Sequence, residues 1–189
     1  MNKGLIAAYT ATQNKEYLDL AIKNANFIIS KVYNPSGRLY RNYKNGKATI
    51  NGFLDDYATQ IDAFVRLYEV TFEEKWLEYA DAMTKYTLQH FEDSTGYFFY
   101  TSIEDAPLVA RKKELTDNVI SASNSIMARN LYKLGELKYN KEYLDKSKSM
   151  VMGMIDQIVE SRQPSFYANW CHLYMEWLNP PYEIAILGP

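Results

Sequence analysis

The sequence predicts an all-α protein, a partial α/α toroid of helical hairpins, with β-hairpins in its long loops. Three observations predict this fold. The six residues Asn-Lys-Glu-Tyr-Leu-Asp occur at 14–19 and again at 140–145. Apolar residues recur at helical spacing in successive segments, which indicates amphipathic helices. The connections alternate between short and long, so the repeating unit is a helical hairpin of about 60 residues, longer than the common helical repeats.

The outer helix of each hairpin follows from three segments that align at Leu18, Leu77 and Leu144. In each segment an aromatic residue precedes the leucine, and apolar residues follow it at helical spacing. The first stripe contains Leu18, Ala21, Ile22, Ala25 and Ile28 or Ile29, and the second contains Trp76, Leu77, Ala80, Met83 and Tyr86 or Thr87. The repeated hexapeptide therefore begins an outer helix.

The inner helices are predicted to precede the outer ones, at 3–11, 52–70 and 123–138, with a seventh helix that begins near Ser165. The second inner helix has a wide apolar stripe, as expected for a helix that packs on more than one side. Its members are Leu54, Tyr57, Ala58, Ile61, Phe64, Val65 and Tyr68. Asp62 and Arg66, one turn apart, indicate that part of this helix is solvated. Three hairpins and half of a fourth give about seven helices and an incomplete ring.

Both long connections, 33–51 and 92–122, should leave the same side of the helical layer. The first contains Asn45-Gly46 between extended segments, a strong hairpin signal because both residues accept positive φ. The second contains Gly-Tyr-Phe-Phe-Tyr-Thr-Ser and then Pro-Leu-Val-Ala-Arg-Lys-Lys-Glu, which predicts a second, longer hairpin. We expect both loops to be ordered and to roof a funnel at the N-termini of the inner helices.

Composition and charge exclude several classes of function. The net charge is −2 and the isoelectric point about 5.8, so the chain lacks the basic excess that binds nucleic acid. Its apolar runs are short, which predicts no membrane span, and its first residues do not resemble a signal peptide, so we expect a cytoplasmic location. Cys171 is the only cysteine, and His90 and His172 form no spaced motif, so we predict no metal and no cofactor.

Several stretches resemble one family. They are NGFLDDYATQIDAFVRLYEVTFEEKWLE, GYFFYTS with PLVARKKELTDNVISASNSIMARNL, and PPYEIAILG. They are similar to thioredoxin-like proteins with an appended α/α toroid, related to a spermatogenesis-associated protein of animals. Residues 52–58 and 117–125 are the most specific to that family. The toroid resembles those of N-acylglucosamine 2-epimerases, cellobiose epimerases and six-hairpin glycosidases.

The chain departs from this family in what it lacks. It has no thioredoxin-like domain and no Cys-x-x-Cys motif, so the resemblance implies no redox chemistry, and the missing thioredoxin-like domain is an expected partner. We interpret the chain as a fragment cut at both ends, with Met1 an added start. Residues 1–179 would form the toroid part. Residues 180–189, with the expected buried strand Glu-Ile-Ala-Ile-Leu, would begin a truncated α/β extension.

Two acidic residues are candidate catalytic groups. Asp56, next to Asp55, begins an inner helix at the expected toroid face, where a carboxylate could serve as a general acid or base. Asp117 lies where the second long loop enters the next inner helix. Acids in a first helical turn also stabilise the helix dipole and the free N–H groups, so both residues could instead be helix or turn caps.

Eight further residues are candidate ligand-binding groups, because they place hydroxyl, amide, basic or aromatic side chains near the expected face. They are Arg41, Tyr57, Tyr100, Arg111, Asn118, Ser123, Asn124 and Trp170. Each has a structural alternative. Ser123 is a natural N-cap, and asparagines stabilise turns. Basic residues can protect an exposed strand edge, and helical aromatic residues more often belong to the core.

Two functions of different kinds remain open. The first is a toroid that binds or processes a small carbohydrate-like ligand, for which Asp56, Asp117 and Asn124 should share one cleft. The second is a scaffold or protein-interaction module that supports the missing thioredoxin-like domain. A third reading, a short helical-repeat adaptor, requires disordered long loops. The chain has no pair of inner-helix histidines that matches the epimerases, so the resemblance does not imply epimerase activity.

Overall fold

A computed structural model describes residues 1–106, 109–182 and 184, and it confirms the predicted helical toroid fold. The first two hairpins contain α1 (Asn2–Thr12), α2 (Lys15–Lys31), β1 (Tyr40–Lys44), β2 (Lys47–Asn51), α3 (Leu54–Thr71) and α4 (Glu74–His90). The remainder contains α5 (Ser123–Lys138), α6 (Lys141–Met152), α7 (Ile155–Ser161), a 3₁₀ turn (Pro164–Tyr167) and α8 (Ala168–Leu178). The short helix α7 was not predicted. The other helices are the seven that the periodicity indicates.

The inner helices form one continuous layer. Helix α3 packs against α1 on one side and α5 on the other, and α5 packs against α8. Each of the first three inner helices packs against the outer helix that follows it. The core therefore lies between an inner layer of α1, α3, α5 and α8 and an outer layer of α2, α4 and α6.

Helix α3 is the central element of this core. Six of its seven predicted apolar residues, from Leu54 to Val65, are buried. Of the charged pair on this helix, Asp62 is buried and Arg66 is half-buried. Asp62 accepts from Lys3 Nζ of α1 at 2.7 Å and from Arg66 Nε at 2.9 Å. Part of this helix is solvated, as predicted, at Thr59 and Glu69. Asp62 is the exception, because its ion pair with Lys3 joins α3 to α1.

The repeated hexapeptide begins two outer helices, as predicted. Asn14 and Asn140 are the N-caps, and each side chain accepts from the backbone N–H two residues later at 3.0 Å. In the third hairpin the motif also makes a buried contact, because Tyr143 Oη donates to Asp81 Oδ1 of α4 at 2.8 Å. Burial opposes ionisation of Asp81, but hydrogen bonds from Lys138, Tyr143 and Lys85 hold its pKa below the ordinary value.

The two long connections differ from each other. The first forms the predicted hairpin, with β1 antiparallel to β2 and with Asn45 and Gly46 at positive φ in the turn. The second hairpin prediction was wrong, since β1 and β2 are the only regular strands in the described part of the chain. Phe98 forms only an isolated antiparallel bridge with Glu92, and its own backbone N–H and C=O bond to the side chain of Asn124. Pro107 and Leu108 of the predicted hairpin lie outside the described residues.

The C-terminal prediction concerns residues that are mostly not described. Of the expected strand at 183–187, Glu183 and the residues from Ala185 onward lie outside the described residues, so the division at 179/180 stays a prediction. Helix α8 starts at Ala168, slightly later than predicted, because the 3₁₀ turn precedes it. Within the described ranges, each helix is too short or too polar to cross a membrane.

The repeat offers a matched pair of substitutions. Replacing Tyr143 with Phe removes the donor to buried Asp81, so we expect the free energy of unfolding to fall by about 1 kcal/mol. Tyr17 is the equivalent residue of the first hairpin, and its hydroxyl bonds to none of the described residues. The Tyr17→Phe change should alter stability by less than about 0.5 kcal/mol. Urea unfolding of both variants measures the difference, and equal losses would contradict it.

Candidate functional site

The start of α3 is where the two long connections meet. Three consecutive backbone N–H groups are satisfied there by three different acceptors. Gly52 donates to Leu39 O at 2.8 Å, and Leu54 donates to Tyr100 O at 2.9 Å. Between them, Phe53 N–H donates to Asp56 Oδ2 at 2.9 Å. The first turn of α3 is thereby fixed against both loops.

Two carboxylates of this turn share one arginine from strand β1. Arg41 Nη1 lies 3.2 Å from Asp55 Oδ1 and 3.1 Å from Asp56 Oδ2. The same nitrogen is 3.5 Å from Tyr100 Oη, and the guanidinium lies 5.1 Å from the centre of the Phe53 ring. The positive end of α3 and one cation therefore face two acids, an arrangement that stabilises negative charge.

Asp56 combines a perturbed pKa with unused hydrogen-bonding capacity. Burial raises its pKa above the ordinary aspartate value and the neighbouring Asp55 adds to this, although Phe53 N–H and Arg41 act in the opposite direction. Oδ2 accepts both of those hydrogen bonds, whereas Oδ1 bonds to no partner in the described ranges. Asp56 can therefore hold or release a proton at a free oxygen.

A cleft of about 370 Å³ opens beside these acids, and we call it the Asp56 cleft. Its lining includes Asn24, Phe27, Tyr40, Arg41, Tyr43, Asp56, Thr59 and Gln60. Phe27 and Tyr43 meet edge to face with ring centres 5.3 Å apart. Gln60 Nε2 is buried and has no acceptor among the residues that the structure describes. Aromatic walls, a carboxylate and an unpaired amide suit a polar ligand with apolar faces, such as a sugar.

Three other predicted ligand-binding residues do not face this cleft. Tyr57 is buried, and its Oη accepts from Leu39 N–H at 2.6 Å. Trp170 is buried, and its Nε1 donates to Leu115 O at 2.8 Å. Arg111 stacks on Phe99, 4.1 Å from the ring centre, and donates to a loop carbonyl. All three hold the core or the second loop in place.

Asp117 connects two inner helices. Its Oδ1 accepts from Ala122 N–H at 2.8 Å and from Ser125 Oγ at 3.1 Å, at the start of α5. Its Oδ2 accepts from Asn169 N–H at 2.9 Å, at the start of α8. Both oxygens are thus engaged in capping. The neighbouring Asn118 is exposed and lines a different cleft from Asp56.

The other two polar residues at the start of α5 are buried. The prediction that Ser123 is the N-cap was wrong, because Ala122 is the N-cap residue. The backbone N–H of Ala122 donates to Asp117 Oδ1. Asn124 accepts from Phe98 N–H at 2.8 Å and donates to Phe98 O at 2.9 Å and Glu114 O at 3.0 Å. The expected single cleft for Asp56, Asp117 and Asn124 is therefore not formed, whereas Arg41, Asp56 and Tyr100 do come together.

Sequence reasoning did not find the part of the cleft that comes from an outer helix. Asn24 and Phe27 lie on α2, and Gln60 lies one turn after Asp56 on α3. Phe27 falls outside the apolar stripe of α2, and this was the available signal. An aromatic residue away from the core face of a helix indicates a second contact surface.

A family model described as beta-L-arabinofuranosidase, GH127 catalytic domain, matches residues 1–163. The chain belongs to this family. In the described residues, no group of three or more His, Cys, Asp or Glu side chains is arranged to hold a metal ion.

Curated relatives are much longer than this chain. Uncharacterized protein B0495.5 of Caenorhabditis elegans is 30% identical over 163 residues, which are 82% of this chain and 22% of that protein. Spermatogenesis-associated protein 20 of Rattus norvegicus is 30% identical over 157 residues, 77% of this chain and 20% of that protein. The chain thus spans about a fifth of the length of these relatives.

Solved α/α toroids share the fold at low identity. The GH76 alpha-mannanase BT2949 of Bacteroides thetaiotaomicron superposes with a TM-score of 0.64 at 18% identity, covering 82% of this chain and 42% of that one. The unsaturated glucuronyl hydrolase of Bacillus sp. GL1 gives 0.61 at 18% identity, covering 80% and 43%. A D-mannose isomerase gives 0.62 at 16% identity, covering 79% and 37%. These likenesses establish the fold of this GH127-family chain.

Gly52 controls how closely the β1–β2 hairpin approaches α3. A Cβ at this position would lie 2.9 Å from Leu39 O and 3.3 Å from the Tyr57 ring, so the backbone must move. We expect Gly52→Ala to lower the free energy of unfolding by about 1–3 kcal/mol. Gly4→Ala in α1 is the control, because a Cβ there meets nothing within 4 Å. Thermal unfolding distinguishes them, and an unchanged Gly52→Ala variant would contradict the close approach.

Proposed function

We propose that this chain contributes a carbohydrate-binding or carbohydrate-processing site to its parent protein, and that the site is the Asp56 cleft. One observation carries this proposal. Two adjacent carboxylates and an arginine converge at the N-terminus of a central inner helix, beside a cleft with aromatic walls. Membership of a glycoside-hydrolase family supports the same ligand class.

The chemistry of the cleft assigns a role to each group. Asp56 is the candidate general acid or base, because burial raises its pKa and one of its oxygens is free. Asp55 and Arg41 are the charged neighbours of Asp56, and Arg41 forms ion pairs with both acids. Tyr43 and Phe27 can stack against the apolar face of a sugar ring, while Gln60 can donate to a hydroxyl.

The ligand class is a sugar or glycoside. The family is named for an arabinofuranosidase, and the similar structures are named as a mannanase, a glucuronyl hydrolase and a mannose isomerase. Each of these names contains a sugar, but the sugars and the reactions differ. We therefore propose only the ligand class, a sugar, for this chain, and experiment decides which sugar it is.

Binding measured by saturation-transfer NMR tests the proposal. The probes are L-arabinose, methyl α-D-mannoside and D-glucuronate, as representatives of the three named sugar types. Asp56→Asn keeps an oxygen that can accept from Phe53 N–H, so the fold should survive. We expect this variant to weaken binding of the preferred sugar about tenfold, the effect of losing one charged hydrogen bond. Asp145→Asn, at an exposed position of α6, is the control. Equal binding by all three proteins would refute the role of Asp56.

The raised pKa of Asp56 predicts a pH dependence. Burial favours the neutral carboxyl, so the protonated form should persist above the pH range of an ordinary aspartate. Its contribution to folding stability is then largest at low pH and is lost as pH rises through the raised pKa. A carbon-detected NMR titration of the Asp56 carboxyl measures this pKa directly. A midpoint at or below the ordinary aspartate value would contradict the desolvated site.

A second candidate function is a non-catalytic scaffold that supports a thioredoxin-like domain of the parent protein. The hydrogen bonds of Asp117 and Asn124 favour this scaffold function, because both side chains bond to helix starts and loops of the protein itself. In that case none of the three sugars would show binding that depends on Asp56. Binding of any of them that depends on Asp56 would decide for the first candidate.

A further inference from the structure

A second polar cleft lies at the N-terminal ends of α5 and α8, and we call it the His172 cleft. It has a volume of about 320 Å³ and shares no lining residue with the Asp56 cleft. Its floor contains Asp117, Arg129 and Asn169, and its rim contains Asn118, Ser121, Ser165 and His172. This volume falls within the roughly 300–1,000 Å³ of small-molecule sites.

The floor of the His172 cleft is already fixed and its charges are compensated. Asn169 Oδ1 accepts from Arg129 Nη1 at 3.0 Å, and Asn169 Nδ2 donates to Ser125 Oγ at 2.9 Å. Arg129 Nη2 also pairs with Glu176 Oε1 at 2.9 Å. Asp117 is held by the backbone at the starts of two helices. A ligand therefore meets a rigid floor that offers little net charge.

Unlike the floor, the rim consists of side chains that are not hydrogen-bonded within the described part of the protein. The side chains of Asn118, Ser121, Ser165 and His172 make no hydrogen bond to any residue in the described ranges, and three of the four are exposed. Together they supply two hydroxyls, an amide and an imidazole, which can both donate and accept. Val119 and Ile120, exposed by 94% and 64%, stand at the side of the same cleft.

We propose that the His172 cleft binds a neutral polyol, such as an uncharged sugar unit, independently of the Asp56 cleft. Four uncommitted polar side chains match ring hydroxyls, and the two exposed aliphatic side chains can cover the C–H face of the ring. An anionic sugar is disfavoured, because Glu176 already neutralises the nearby arginine. The proposal adds a second subsite of the ligand class proposed above, and it needs no catalytic role for any of these residues.

Amide chemical shifts of the ¹⁵N-labelled chain test this site directly. Methyl α-D-mannoside at millimolar concentration should shift the amides of residues 118–121 and 168–172. The exposed double substitution Asn118→Ala with His172→Ala should weaken this binding about tenfold without lowering the melting temperature. Tyr139→Ala, an exposed change at the other end of α5, is the control and should bind as the unmodified chain does.

The outcomes separate this proposal from the previous one. Asp56→Asn should leave the shifts at 118–121 and 168–172 unchanged, so a failure of the Asp56 cleft does not remove them. Absence of these shifts in the unmodified chain, or full binding by the double variant, would overturn the second subsite. Stronger binding of D-glucuronate than of the mannoside would overturn the neutral ligand class.

Discussion

The structure depends on the hydrogen bonds that the backbone N–H groups at the start of α3 make to the two long connections. A helix start leaves several N–H groups without intrahelical acceptors, and leaving one buried and unpaired costs about 1–3 kcal/mol. Here the loop before β1, the side chain of Asp56 and the second long connection each provide one acceptor. Because α3 packs against α1, α4 and α5, this single turn ties the loops to most of the helical layer. The Asp56 cleft exists because the hairpin and the helix are held together there.

The same principle orders the second long connection. Asn124, buried on α5, holds Phe98 by both backbone groups and Glu114 by its carbonyl. Tyr100, two residues after Phe98, then reaches Leu54 N–H and the arginine of β1. A helical-repeat adaptor with loose loops does not fit these contacts. The residue expected to touch a ligand, Asn124, instead sets the position of the loop that borders the site.

Local pattern predicted the elements well and the long-range contacts poorly. The stripe of α3 and the start of α2 and α6 at the repeated hexapeptide depend on neighbours a few residues away, and these predictions were correct. The capping role of Ser123 failed because the Ala122 N–H donates to Asp117. The second hairpin failed where Asn124, 26 residues further along the sequence, bonds to both backbone groups of Phe98. Ile50 shows the same limit. A β-branched residue at φ 62° is disfavoured locally, yet Ile50 adopts this conformation in β2 between Thr49 and Asn51, which pair with Asn42 and Tyr40.

Residue type alone did not distinguish the two candidate acids, whereas hydrogen-bonding capacity does. Asp56 and Asp117 both lie at the start of an inner helix, and both looked equally suited to caps or to chemistry. Both oxygens of Asp117 are engaged, by three donors in total, so its charge serves two helix termini. Asp56 lines a cleft and accepts from Phe53 N–H and from Arg41 with the same oxygen, so its other oxygen bonds to none of the described residues. A carboxylate that still has a free oxygen after the fold is satisfied is the one available to a ligand.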